Sequence, residues 1–100
     1  MANATIHSSI NEEFQVTLES NPSTGYRWQI TSIDETIARL INDEYITPET
    51  GLVGASGKQE LTFEALDVGK TTIWIEYVRP WEPEIPESIY SVWVIVSPTS

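Results

Sequence analysis

The alternation of apolar and polar residues with a period of two constrains the fold of this chain more than any other feature. It recurs in five short runs, at residues 14–18, 28–30, 61–65, 73–77 and 90–96. These runs are rich in Val, Ile, Thr and aromatic residues, the types that suit half-buried strands. No stretch shows the long repeat of an amphipathic helix. The chain is therefore predicted to be all-β.

Turn-forming residues separate these runs. Residues 21–25 and 67–70 are predicted to be connections. An expected hairpin is interrupted by three prolines, Pro80, Pro83 and Pro86. Residues 34–38 are predicted to form a helical turn. Six to eight short strands without a long helix are typical of a sandwich or barrel. No repeat or linker divides the chain. We predict one domain over residues 1–100, an immunoglobulin-like antiparallel β-sandwich of about seven to eight strands.

Composition excludes several classes of protein. The 100 residues contain no cysteine, which removes disulfides, thiolate metal sites and thiol nucleophiles. A net charge of −10 lacks the basic surface that nucleic acid requires. No run approaches the roughly 20 apolar residues of a membrane span, and no signal peptide is present. The chain is expected to be cytoplasmic, or secreted or periplasmic with its signal removed, and to bind neither nucleic acid nor membrane.

Enzymatic activity is not expected. His7 is the only histidine, and it lies in a predicted edge strand near the terminus. A Ser-His-Asp arrangement would have to use it, and no serine stands at a plausible nucleophile turn. Glu82, Glu84 and Glu87 form the one acidic cluster, which a solvated loop explains better than a catalytic pair. No metal or cofactor is predicted.

Two predicted loops are unusually rigid for their length. The first has the sequence Asn-Pro-Ser-Thr-Gly-Tyr, in which proline fixes the backbone and glycine follows a tight reversal: Asn21, Pro22, Ser23, Thr24, Gly25 and Tyr26. The other is Arg79-Pro80-Trp81, which brings a guanidinium and a large ring together at the end of a strand. Arg79 is expected to stack on an aromatic ring or pair with a nearby glutamate. Each loop can also be read as ordinary structure.

A glycine-rich loop lies between them, over residues 47–57. Glycine allows another chain to approach the backbone closely, and Leu52 and Val53 are unusually apolar for a loop tip. A phosphate-binding loop is excluded, because Gly57-Lys58-Gln59 leads into a strand rather than a helix. The alternative is a mobile connection.

Together the three loops resemble those of the chagasin family of cysteine protease inhibitors. The family pattern is Asn-Pro-x-Thr-Gly-Tyr, a glycine-rich loop, and Arg-Pro-Trp, and the resemblance spans nearly the whole chain. In the middle loop, Gly54-Ala55-Ser56-Gly57 departs from the family's Gly-x-Gly-Gly type because Ser56 replaces a glycine.

The resemblance implies an eight-stranded, immunoglobulin-like sandwich with its three loops at one end. It further implies reversible, non-covalent inhibition of papain-like cysteine proteases such as papain or a cathepsin, by a protein that is monomeric when free. The loop carrying Thr24 would lie over the catalytic Cys and His, residues 54–57 along the unprimed wall, and Arg79-Pro80-Trp81 on the primed side. The alternative is an immunoglobulin-like module that recognises a protein or a carbohydrate.

Overall fold

The computed structural model describes residues 2–48 and 56–98, and within them the chain forms seven strands and one turn of 3-10 helix. The strands are β1 (Ala4–Ser9), β2 (Glu13–Ser20), β3 (Arg27–Ser32), β4 (Ala38–Ile46), β5 (Gly57–Ala65), β6 (Gly69–Val78) and β7 (Ser88–Ser97). The 3-10 turn, Pro22–Thr24, lies between β2 and β3. The described residues contain no helix long and apolar enough to cross a membrane.

The strands form two sheets. One has the order β1-β7-β6-β3 and the other the order β2-β5-β4. Five strand pairs build the sheets; four are antiparallel, whereas β1 runs parallel to β7 at the edge of the larger sheet. The predicted all-β sandwich is confirmed, and His7 lies on the expected edge strand.

The core lies between the two sheets and is built from the alternating positions of the sequence. Phe14 of β2 and Phe63 of β5 stack with ring centroids 5.2 Å apart. The fully buried side chains come mostly from the central strands: Leu61, Phe63, Ile73, Ile75, Val78, Val92 and Val94. Burial of each such side chain contributes about 1.5–3 kcal/mol to folding, and no disulfide adds to it, because the chain has no cysteine.

Strand β4 departs from the pattern of its neighbours. It lies at the edge of the smaller sheet, and only its first residue, Ala38, is buried. Its pairing with β5 shifts register between Leu40 and Asn42, which marks a bulge. Because both faces of β4 are exposed, no apolar alternation marks it in the sequence.

The predicted helical turn at residues 34–38 is a hydrogen-bonded turn that leads into β4. The carbonyl of Asp34 accepts hydrogen bonds from the backbone N–H groups of Ile37 and Ala38, at 3.0 and 3.1 Å. The Asp34 carboxylate accepts from the hydroxyl and the N–H of Thr36, at 2.6 and 3.0 Å. These two bonds, the hydroxyl first, lower the pKa of Asp34 below its ordinary value of 3.8.

Candidate functional site

Strand register brings the roots of all three candidate loops to one end of the sandwich. Ser20, the last residue of β2, pairs with Gly57, the first residue of β5. Arg27, the first residue of β3, pairs with Val78, the last residue of β6. Since β4 and β6 run antiparallel to β5 and β7, the connections β4–β5 and β6–β7 leave from this end as well. We call it the loop end.

The first loop is a compact unit held by its own polar groups. Asn21 Oδ1 accepts hydrogen bonds from the N–H and the hydroxyl of Ser23, at 3.2 and 2.6 Å. The Thr24 hydroxyl donates to the carbonyl of Asn21 at 2.7 Å. Gly25 ends the 3-10 turn with φ +84°, a left-handed conformation that favours glycine. Pro22, Ser23 and Thr24 are exposed at the tip, in a fixed conformation.

The third loop packs directly on the first. Trp81 lies against Gly25, where an added Cβ atom would come within 2.6 Å of Trp81 Cη2. The indole nevertheless remains 66% exposed, the largest fraction among the large apolar side chains described. Pro80 is exposed in the turn between Arg79 and Glu82, which is closed by a 2.8 Å backbone hydrogen bond. The loop end therefore exposes a large aromatic side chain, Trp81, which packs against the backbone of Gly25.

Arg79 fastens the two loops together. Its Nε donates to the carbonyl of Thr24 at 3.2 Å, and its guanidinium lies 4.6 Å from the centroid of the Tyr26 ring. Its Nη1 also lies 3.9 Å from a carboxylate oxygen of Glu82. Both predicted partners of Arg79, an aromatic ring and a glutamate, are thus present at once.

Stacked rings connect this contact to the core. Tyr26 stacks on Tyr77 of β6 at 5.3 Å, and Tyr77 in turn lies 4.8 Å from Trp28 of β3. The Tyr77 hydroxyl accepts a hydrogen bond from the N–H of Asn21 at 2.9 Å. Trp28 Nε1 donates to the carbonyl of Glu19 at 2.9 Å. In the sequence, Tyr77 is only the last residue of the alternating run 73–77, and its partners lie on distant segments.

A buried polar contact joins the two sheets at the loop end. Gln59 of β5 is 4% exposed, and its amide accepts from the N–H of Trp28 and donates to the carbonyl of Trp28, both at 2.9 Å. The same amide donates to Asp43 of β4 at 2.9 Å, and Asp43 pairs with Arg27 at 2.8 Å. A lone glutamine in an alternating strand carries no sequence signal for this role.

The glycine-rich loop is described only at its two ends, residues 47–48 and 56–57. Gly54 and Ala55 lie outside the described residues, as do Leu52 and Val53. Ser56 is exposed, and Gly57 is buried. A Cβ atom at Gly57 would meet the carbonyl of Ile46 and the hydroxyl of Tyr45, so this glycine permits close packing of β4 on β5. Of the predicted middle-loop residues, Ser56 is the one shown at the surface of the loop end.

The cations of the loop end are paired within the protein. Besides Arg79, Arg27 pairs with Asp43 at 2.8 Å and Lys58 lies 3.5 Å from Glu19. These basic groups are thus engaged internally. The exposed tip instead offers the 3-10 turn and the indole of Trp81.

A β-sandwich with loops clustered at one end is the arrangement that immunoglobulin-like domains use for recognition. The family model described as "Chagasin family peptidase inhibitor I42" matches residues 8–94. The chain belongs to this family. The predicted resemblance is therefore confirmed, together with its consequence that the protein is a cysteine protease inhibitor and not an enzyme.

Individual relatives agree with this assignment. Amoebiasin-2 of Entamoeba histolytica is 39% identical over 82 residues, which cover 79% of this chain and 65% of the relative. Chagasin of Trypanosoma cruzi is 29% identical over 83 residues, covering 78% and 74%. The crystal structure of the cysteine protease inhibitor EhICP2 from Entamoeba histolytica superimposes with a TM-score of 0.81 at 33% identity, covering 96% of this chain and 88% of that one.

Proposed function

We propose that this protein inhibits papain-like cysteine proteases reversibly and non-covalently, by inserting the loop end into the active-site cleft. The single domain over residues 1–100 carries the activity, as a monomer when free. By family resemblance, the 3-10 turn with Thr24 covers the catalytic Cys and His. Residues 54–57 follow one wall of the cleft, and Arg79-Pro80-Trp81 occupies the other side.

The observation that carries the proposal is the direct contact between the first and third loops. Trp81 rests on Gly25, and Arg79 bonds the carbonyl of Thr24. Loops fixed to one another in the free protein lose little conformational entropy on docking. A cleft contact of standard size buries about 800 Å² on each partner, which loops that leave the same end of the sandwich can provide.

The conformation of the first loop also explains how such an inhibitor escapes cleavage. Residues Pro22–Thr24 form a 3-10 turn with a hydrogen bond from the N–H of Gly25 to the carbonyl of Pro22 at 3.0 Å. A peptide in this turn does not present an extended bond to a nucleophile. The loop can therefore fill the cleft while its peptide bonds stay out of attack geometry.

A structural neighbour with the same fold has been solved in complex with another protein. PbICP-C, solved in complex with falcipain-2, superimposes on this chain with a TM-score of 0.74 at 19% identity. A protein of this fold thus binds falcipain-2.

Titration of active papain and of a cathepsin tests the proposal. We expect residual activity to fall linearly to zero near one equivalent of inhibitor, and mass spectrometry to recover the inhibitor uncleaved. Dilution should restore activity, because no covalent bond forms. Full protease activity at a several-fold excess of inhibitor would contradict the proposal and favour a recognition module for another protein or a carbohydrate.

Trp81 is expected to supply most of the aromatic contact. The variant Trp81→Ala should weaken inhibition by about 2 kcal/mol, or ~30-fold, as interface tryptophans often do. The matched control is Trp74→Ala, since Trp74 is 44% exposed on β6, away from the loop end. Inhibition constants for both variants check this role, and an equal loss in both would contradict it.

A further inference from the structure

We propose that Tyr77 is a positioning residue that sets the orientation of the first loop for docking. This inference rests on the proposed function, since docking requires the loop to face the cleft. Tyr77 is itself partly buried on β6, beneath the loops. It acts on the protease through Asn21 and Tyr26.

The shape of the first loop and its orientation depend on different contacts. The N–H groups of Ser23, Thr24 and Gly25 all donate to atoms of residues 21–22. These bonds fix the shape of the loop but do not tie it to the sandwich. The N–H of Asn21, by contrast, donates to the hydroxyl of Tyr77 at 2.9 Å. Tyr77 therefore supplies an anchor from outside the loop, at the residue where the chain leaves β2.

The ring of Tyr77 anchors the other end of the same loop. It stacks on Tyr26 at 5.3 Å with an interplanar angle of 25°. On the core side it lies against Trp28 at 4.8 Å. One side chain thus contacts both the first and the last residue of the loop, and neighbours in the core fix its own position.

The backbone of Tyr77 also closes the third loop. Its carbonyl accepts a hydrogen bond from the N–H of Glu87 at 2.8 Å, where the chain returns toward β7. Arg79 follows two residues later and lies over Tyr26. The two loops that meet at Trp81 therefore share one residue at their base. A change in the Tyr77 hydroxyl should alter their relative placement without altering the core.

The variant Tyr77→Phe removes the hydroxyl and keeps the ring stack. A neutral hydrogen bond contributes about 0.5–1.5 kcal/mol, so we expect the inhibition constant for papain to rise about 2- to 13-fold. We also expect faster hydrogen exchange at the Asn21 amide, measured by NMR. We expect both the variant and the wild type to be folded at 25 °C, where a small loss of global stability alone leaves affinity unchanged.

The matched control is Tyr90→Phe. Tyr90 of β7 contacts the same Trp28 edge-on, at 6.5 Å, from the core side of the stack. The variant Tyr90→Phe should leave the inhibition constant for papain and the hydrogen-exchange rate of the Asn21 amide at wild-type values. Wild-type inhibition by Tyr77→Phe, or an equal loss in both variants, would overturn the positioning role alone. Failure of the wild-type protein to inhibit papain and a cathepsin would instead overturn the proposed function, and this role with it.

Discussion

Gly25 meets two requirements that no other residue type satisfies together. Its φ of +84° is left-handed, and the indole of Trp81 occupies the space above its α-carbon. The family motif Asn-Pro-x-Thr-Gly-Tyr has a glycine after this turn. The packing of the third loop on the first explains why a side chain is excluded at this position. The same residue shapes the turn and supports the aromatic contact.

We therefore expect Gly25→Ala to weaken inhibition more than it weakens folding. The added methyl group would displace Trp81, and the strained backbone should cost about 1 kcal/mol or more in free energy of unfolding. Inhibition constants and thermal melts of the same variant measure the two effects.

Gly69→Ala is the control for that comparison. Gly69 also has a positive φ, of +151°, and a Cβ atom there would meet Ile37 Cδ1 at 2.7 Å. It begins β6 at the end opposite the loops. Its replacement should lower the melting temperature while the folded protein inhibits as before; a comparable loss of inhibition would argue against a local role for Gly25.

At the level of elements, the sequence predicts the central strands and does not reveal one edge strand. Strands β2, β5, β6 and β7 bury one face, so their apolar residues alternate. β4 exposes nearly every side chain and contains a bulge, so its sequence, Ala-Arg-Leu-Ile-Asn-Asp-Glu-Tyr-Ile, lacks a period of two. Only its pairing with β5 identifies β4 as a strand, and the residues of β4 by themselves do not specify that pairing.

The site shows the same division between local and distant information. Turn chemistry around Pro22 and Pro80 is local, so the first and third loops could be located from the sequence. The contacts of Gln59 and Tyr77 join residues that lie 31 and 56 positions apart in the chain. Such partners follow from strand order, which the alternation of residues does not specify.

The hydrogen bonds by which Gln59 bridges the two sheets lead to a prediction about stability. Gln59→Leu would leave the N–H and carbonyl of Trp28 without their amide partner in a buried position. Unsatisfied buried groups cost about 1–3 kcal/mol each, so the free energy of unfolding should fall by about 2–6 kcal/mol in urea denaturation. Gln15→Leu, at an exposed position of β2 where the amide donates to Glu60 at 3.2 Å, should change it little. Similar losses in the two variants would refute the bridging role.

For the molecule as a whole, acidic residues greatly outnumber basic ones. Fifteen acidic residues oppose five basic ones, and the ion pairs among the described residues have partly or largely exposed side chains. Exposed pairs contribute about 0–1 kcal/mol each. Repulsion among the excess carboxylates therefore outweighs them at low ionic strength.

Added salt should consequently stabilise the protein. The screening length falls from about 30 Å at 0.01 M to about 10 Å at 0.1 M, which weakens repulsion between distant carboxylates. We expect the melting temperature at pH 7 to rise by a few degrees between 10 and 200 mM NaCl, as followed by circular dichroism. A fall over this range would mean that the ion pairs dominate.

The stacked rings of Tyr26, Tyr77 and Trp28 also bear on how this inhibitor loses its activity on heating. Among the described residues, these rings connect the first and third loops directly to the hydrophobic interior, so these two loops are expected to open only together with it. Heating should leave inhibition intact until the interior itself melts, and both should then disappear in a single cooperative step.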